Sequence, residues 1–304
     1  MSHIPVLLHE VIENLDPREG EVFVDGTLGD GGHAKEIGLK LGKTGRLIGI
    51  DQDAEALARA KENLADLPCQ TSFVLGNFRK IKELFKEAEA IEANGILFDI
   101  GFSSDQIEGS GRGFSFLRDE PLDMRMGDSA KFSAREMVND WQENNLADVI
   151  YAYGEETFSR QIAEGIVNAR KNGLIETTSQ LVEVIRQAVP VWYTKKRLHF
   201  ATRTFQALRI AVNDELGALK EGLIGAWDIL APGGRLGVIS FHSLEARIIK
   251  EFFREKKVSG EGKMVKGNAV KATRAEVLAN PRSRSAQLRI IKKTTGTPVV
   301  PDSR

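Results

Sequence analysis

The chain has 304 residues, 41% of them hydrophobic and 28% charged, which excludes wholesale disorder and leaves room for roughly two domains with sizeable cores. Lys and Arg number 42 against 43 Asp and Glu, a net charge of −1 that excludes a uniformly basic, histone-like protein but not a local basic surface. Cys69 is the single cysteine, so an internal disulfide framework and a four-cysteine zinc site are both excluded, which is consistent with a reducing compartment.

The first third alternates strand and helix signals. Glu21–Asp25 reads as a strand, followed by a glycine-rich turn and a helix over His33–Leu41. Gly45–Asp51 is a second strand, Asp53–Leu64 a helix with Asp53 as its N-cap, and Thr71–Leu75 a third strand. Ile81–Ala90 reads as a helix and Gly95–Ile100 as a fourth strand. Such alternation predicts a parallel, doubly wound α/β sheet. From about Phe102 to Arg118 the chain is rich in Gly, Ser and Arg without periodicity. Helical periodicity alone follows, over Ala134–Trp141, Leu146–Tyr153, Phe158–Lys171 and Thr178–Val189, with Ser133 and Thr178 as helix starts. Thr204–Leu230 reads as one long helix, Ala231–Gly234 as a turn, Arg235–Phe241 as a buried strand and Leu244–Lys256 as a helix. Ser259–Pro281 is polar and reads as a mobile loop, and Ala286–Lys293 as a last strand. The expected organisation is an α/β domain over 1–108 and 204–304, interrupted by an all-helical insertion over 109–203 that is the candidate for substrate recognition.

No cationic segment followed by a long apolar one opens the chain, and no run of about 18 apolar residues occurs. A cytoplasmic protein with no membrane segment is expected. Residues 250–304 hold 14 Lys and Arg against 5 Asp and Glu, so the remaining chain carries −10. That asymmetry fits either a surface that meets a polyanion or a solvated basic tail.

The turn Asp25-Gly26-Thr27-Leu28-Gly29-Asp30-Gly31-Gly32-His33 joins the first strand to the first helix. Glycines there let backbone approach a ligand closely, and the helix N-terminus behind them favours an anionic group. Asp51 closes the second strand 20 residues after Gly31, where an acid accepts hydrogen bonds from ribose hydroxyls. A nucleoside-containing cofactor is the functional reading; a tight structural turn with Asp51 as a cap is the alternative. A dinucleotide G-x-G-x-x-G would put Ala34 at its third glycine, and no constellation for hydride transfer is visible. The form D-x-T-x-G-x-G instead lies close to the D-x-G-x-G-x-G of S-adenosylmethionine-binding methyltransferases, with Thr27 for the first glycine.

Six longer motifs are more specific: Asp25–His33, Asp99–Gln106 (DIGFSSDQ), Arg112–Met126 (RGFSFLRDEPLDMRM), Ala201–Ile210 (ATRTFQALRI), Ser240–Glu245 (SFHSLE) and Asn280–Arg289 (NPRSRSAQLR). On these the chain resembles the bacterial 16S ribosomal RNA cytosine-N(4) methyltransferases, the RsmH or MraW family, from Pro5 to Arg289. The resemblance implies a class I S-adenosylmethionine-dependent methyltransferase fold, Rossmann-like and doubly wound, with an inserted helical domain. It implies methylation of one cytidine of 16S rRNA in the small ribosomal subunit, near the decoding centre. The family's cofactor contacts fall on Gly31, Gly32, His33, Asp51, Phe78, Asp99 and Gln106. Read alone, Phe78 is as well placed for a core as for an adenine face, and Gln106 is an ordinary loop residue. The sequence departs from the family at Ile100, Phe102, Asp105 and Phe200, where Leu, Val, Pro and Pro are usual; Phe102 and Phe200 bear on the shape of the substrate pocket.

A cytosine exocyclic amine is a poor nucleophile, its lone pair delocalised into the ring, and its methylation needs neither a cysteine adduct nor a metal. The five histidines show no zinc-type spacing. DNA amine methylases often carry D/N/S-P-P-Y/F after the fourth strand, and here Asp99-Ile100-Gly101-Phe102 keeps the acid and the aromatic without the prolines. The catalytic candidates are Asp99, Phe102 to stack on the base, Ser103 on the substrate side and His242, which is equally readable as structural. Asp99 is assigned first to the cofactor. Lys195, Lys196, Arg197, Arg203, Arg282 and Arg284 are the candidate phosphate contacts. Arg203 and Arg209 are each also readable as internal ion pairs, and Asp123 with Arg125 as a structural pair. The competing functions are a DNA or small-molecule amine methyltransferase and an RNA-binding assembly factor without transfer activity. The partner expected is 16S rRNA, with a homodimer left open.

Overall fold

The computed structural model describes residues 5–101, 111–127 and 130–295. The chain divides into two compact units: Met1–Gly101 with Leu216–Arg304, and Phe102–Glu215.

The first unit is built on a sheet. Helix α1 (Leu8–Leu15) precedes β1 (Val22–Asp25), α2 (Gly32–Leu41), β2 (Arg46–Asp51), α3 (Ala54–Asn63), β3 (Gln70–Leu75), α4 (Ile81–Glu87) and β4 (Ala93–Asp99). Asp53 caps α3 as expected, its carboxylate accepting from the amides of Glu55 and Ala56.

The second unit holds α5 (Ala134–Asp140), α6 (Glu143–Gly154), α7 (Ser159–Ala169), α8 (Thr178–Ala188), the short α9 (Val191–Thr194) and α10 (Thr202–Asn213). Its own core includes Met137, Leu146, Ile150, Ile162, Leu181, Ile185 and Leu208, all fully buried. Ser133 and Glu136 form a reciprocal capping box at α5. The box at α8 uses Thr177 and Gln180, one residue earlier than expected, because Thr178 is buried with its hydroxyl donating to the Arg118 carbonyl.

The chain then re-enters the first unit through α11 (Glu215–Ile229), β5 (Leu230–Ser240), α12 (Ser243–Val258), β6 (Gly262–Met264), β7 (Val270–Lys271), α13 (Arg274–Ala279) and β8 (Gln287–Lys293). The long helix expected over 204–230 is two helices. Asp214 between them is left-handed (φ 46°), and its predecessor Asn213 donates to the carbonyls of Met124 and Arg209. Helix α10 accordingly packs within the helical unit. The expected loop over 259–281 is also corrected: β6 and β7 pair antiparallel with β8, and Thr273 caps α13. Each piece is too short for its periodicity to be read from sequence.

The strand order is β3-β2-β1-β4-β5-β8-β6, with β7 also on β8. β1 to β5 pair in parallel, as expected for a doubly wound sheet, and β8 closes the edge antiparallel to β5. Alternation along the strands feeds two cores, so Phe23, Leu47 and Leu97 enter one, and Val24, Ile48 and Phe98 the other. The strand order reverses between β1 and β4, the place where such sheets bind ligands at their carboxyl ends. Asp25 and Asp99 stand there. No helix among the described residues is long and apolar enough to cross a membrane.

Candidate active site

The glycine turn leaves β1 at Asp25 and enters α2 at Gly32. Its shape is set by hydrogen bonds to its neighbours. The Gly26 amide donates to the Leu97 carbonyl at 2.9 Å and the Leu28 amide to the Ile50 carbonyl at 3.0 Å. Gly29 donates to Asp51 Oδ2 at 2.8 Å, and Asp53 donates to Asp51 Oδ1 at 2.9 Å. Asp51 therefore shapes the turn before any ribose could meet it. Gly29 and Gly31 take positive φ, 52° and 84°. The Gly31 amide donates to the Leu28 carbonyl and so closes the turn. A Cβ at Gly31 would meet Leu64, and one at Gly32 would meet Pro5, whereas one at Gly29 would enter open space.

Pro5, Val6 and Leu7 cross the start of α2. The Val6 carbonyl lies 2.8 Å from His33 Nε2, which fixes that nitrogen as the protonated one. The Leu7 amide donates to Glu276 on α13 at 2.7 Å. The other ring nitrogen of His33, Nδ1, lies 3.7 Å from Asp99 Oδ2. The His33 side chain is buried and joins the N-terminal strap to the end of β4. This side-chain role was not legible in the sequence, where only the helix-terminal amide was expected.

Asp99 is held from three sides. Its amide donates to Thr27 Oγ1 at 2.6 Å, its Oδ1 accepts from the Gly101 amide at 3.1 Å, and His33 faces Oδ2. Thr27, standing where a glycine is usual, thus supplies a bond that glycine cannot.

Asp25, Asp51 and Asp99 end β1, β2 and β4. Burial pushes the Asp25 carboxyl up to about 7, and the charges of Asp99 and Asp51 push the same way. Burial likewise raises Asp51, against the lowering pull of the Asp53 and Gly29 amides. A buried carboxyl that neighbouring carboxylates push further up marks a site that gains from a cation. S-adenosylmethionine, with its sulfonium and α-ammonium groups, brings the charge this site lacks. The first-turn amides of α2, which have no partner within the helix, suit its carboxylate. The residues fit the cofactor.

Phe78 is half-buried, its ring 5.0 Å from that of Phe98, and a Cβ at Gly222 would strike it. Packing on the core is therefore part of its role. His242 is the N-cap of α12: Nδ1 accepts from the Glu245 amide at 3.4 Å, and the Glu245 carboxylate accepts from the His242 amide at 3.1 Å. Nε2 lies 3.0 Å from Glu245 Oε1. Capping α12 is therefore part of the role of His242. Phe102, Ser103 and Gln106 lie outside the described residues. Cys69 is buried immediately before β3.

Of the candidate phosphate contacts, Lys195, Lys196 and Arg197 are exposed between α9 and α10 in the helical unit. Arg203 donates to the Glu155 carbonyl, and Arg209 pairs through two bonds with Glu215, so Arg209 is an internal ion pair. Asp123 and Arg125 are paired as well. In the sheet unit, Arg282 and Arg284 sit on a 3-10 turn after α13, Arg284 exposed and Arg282 half-buried.

The model of the MraW methylase family matches residues 1–294. The chain belongs to the MraW methylase family. A Deinococcus radiodurans member, named ribosomal RNA small subunit methyltransferase H, is 50% identical over 95% of this chain and 89% of its own. Members of the same name from Symbiobacterium thermophilum and Geobacter sulfurreducens are each 47% identical over 96% of this chain, and over 96% and 99% of their own. As a member of this family the protein is an S-adenosylmethionine-dependent methyltransferase of class I fold.

Proposed function

We propose that the protein methylates the exocyclic N(4) of one cytidine in the 16S rRNA of the small ribosomal subunit, near the decoding centre. The observation that carries this reading is the ring of carboxylates on β1, β2 and β4 around the glycine turn, in a chain whose relatives bear the small-subunit methyltransferase name. S-adenosylmethionine supplies a methyl group that its sulfonium makes electrophilic. The chain's own task is to align the amine in line with it, at about 3–3.5 Å, and to hold the amine's hydrogens. Asp51 orients the ribose while bracing the turn. Asp99, fixed by Thr27, Gly101 and His33, serves the cofactor side. Phe102 and Ser103, three and four residues after Asp99 in the sequence, are the proposed groups on the base side, and Gln106 is a proposed cofactor contact. The base must leave its stack to be reached. Exposed Lys195, Lys196, Arg197 and Arg284, with Arg203 and Arg282, are the proposed phosphate contacts.

The test offers tritiated S-adenosylmethionine with small subunits, or free rRNA, from a strain lacking the activity, and maps label by nucleoside mass spectrometry. Label on N(4) of a single cytosine is expected. Label on another atom or base overturns the substrate, and cofactor binding without transfer favours an assembly factor. Asp99→Ala is expected to abolish transfer; near-normal turnover would remove its assignment.

A further inference from the structure

Trp192, on the four-residue helix α9, is 57% exposed although it is among the largest side chains in the helical unit. It is not loose. Its ring meets Phe158 at 6.0 Å and Tyr193 at 5.8 Å between centroids, with interplanar angles of 66° and 89°. Tyr193 is buried and anchors the group by donating from its hydroxyl to Glu156 at 2.6 Å. Phe158 packs on Tyr193 in turn, at 4.9 Å. Both aromatic neighbours meet Trp192 at steep angles, which holds the indole in place while leaving more than half of its surface to solvent.

The charge around it has one sign. Lys196 Nζ lies 4.8 Å from the ring centroids of both Trp192 and Tyr193. Lys195 and Arg197 flank it, exposed. From Val191 to Asn213 the chain carries five cations and no Asp or Glu, and of the five, among the described residues, Arg209 alone is paired with an acid. A rigid exposed indole beside several cations is what a single-stranded nucleic acid uses: a base stacks on the ring while phosphates meet the ammonium and guanidinium groups. A protein partner for an exposed tryptophan would not require the run of cations.

We propose that Trp192 is a stacking platform for an unpaired nucleobase of the substrate RNA, with Lys195, Lys196 and Arg197 holding the adjoining phosphates. This rests on the reading of RNA as the substrate and adds to it a preference for single-stranded over duplex segments.

The test uses full-length protein carrying Trp192→Ala or Trp192→Phe. Affinity is measured by fluorescence anisotropy for a short single-stranded RNA and for an RNA duplex of equal charge. Methyl transfer to unmodified small subunits is measured in parallel. Stacking on an aromatic ring predicts a loss of about 5- to 100-fold in single-strand affinity for Trp192→Ala. Duplex affinity, cofactor affinity and kcat are expected to stay as in the unmodified protein, KM for subunits to rise, and Trp192→Phe to recover most of the loss. An unchanged single-strand affinity or an unchanged KM for subunits overturns the proposal. So does an equal loss on duplex and single strand, or a change in sedimentation that marks Trp192 as a self-association face. Should the unmodified protein fail to methylate cytosine in subunits, the proposed function falls, and the RNA-binding comparison still decides the role of Trp192.

Discussion

Replacing Gly29 with alanine should damage cofactor binding more than folding, and replacing Gly31 with alanine should do the reverse. Both residues are left-handed, with φ of 52° and 84°, which costs a residue bearing a Cβ roughly 1–2 kcal/mol. At Gly31 the new Cβ would also lie 2.9 Å from Leu64 Cδ1, on a side chain only 2% exposed. Overpacking of that kind adds roughly 1–3 kcal/mol. The Gly31→Ala variant should therefore lose about 2–5 kcal/mol, a fall in Tm of roughly 5–15 °C for a unit of this size. At Gly29 the Cβ meets no protein atom within 4 Å, so only the backbone cost remains and Tm should fall by about 2–6 °C. The methyl group, however, enters the open side of the turn beside Asp51. A clash there of about 1–3 kcal/mol weakens S-adenosylmethionine by roughly 5- to 150-fold. Calorimetric titration and thermal melting on the same samples measure both. If Gly29→Ala binds the cofactor as well as the unmodified protein does, the ligand does not approach this face of the turn and the assignment fails.

Thr27→Val keeps the shape of the side chain and removes the acceptor for the Asp99 amide, which should cost about 1–3 kcal/mol and raise the Kd for the cofactor; an unaltered melt and Kd would show that the bond is replaceable. Asp25, raised from 3.8 to about 7, keeps its proton in the folded protein where the unfolded chain gives it up. Its contribution to stability therefore falls as pH rises from about 4 to 7 and is level above that. Asp25→Asn should flatten this dependence in the cofactor-free protein and leave the variant with the higher Tm at pH 8. A variant whose melting curve keeps the original slope would refute this. Binding to small subunits or rRNA should weaken steeply between 50 and 200 mM salt if the cations named above meet phosphates, and a flat response would remove them from the interface.

The cofactor turn was legible because its signal is local: glycines between a strand and a helix, with an acid at the end of the next strand. The five parallel strands were legible for the same reason, each a short apolar run bounded by turn residues. What escaped were contacts made at long range. Nothing in the residues around His33 says that its imidazole will bridge Val6 and Asp99, or that Leu7 will bond to Glu276 on α13. The break at Asp214 was hidden because the residues on both sides form good helices, and the bond from Asn213 to the Met124 carbonyl that accompanies it is made at long range. Trp192 did not stand out in the sequence, because its exposure beside buried Tyr193 is a property of packing alone.

β4 and β5 are hydrogen-bonded neighbours in the sheet, yet the whole helical unit lies between them in the chain. Closing a loop of about 130 residues in place of one of about ten costs roughly 2 kcal/mol more, since the entropy grows only with the logarithm of length. The interrupting segment also has its own buried core, so once folded it behaves as a short tether and recovers part of even that cost. The arrangement implies an order of assembly during synthesis. β1 to β4 emerge first without their β5 neighbour, the helical unit can fold next on its local contacts, and the sheet is completed only when β5 and β8 follow. A chain ending just before residue 230 would thus combine a folded helical unit with a sheet whose β4 edge is still unpaired, a state open to aggregation.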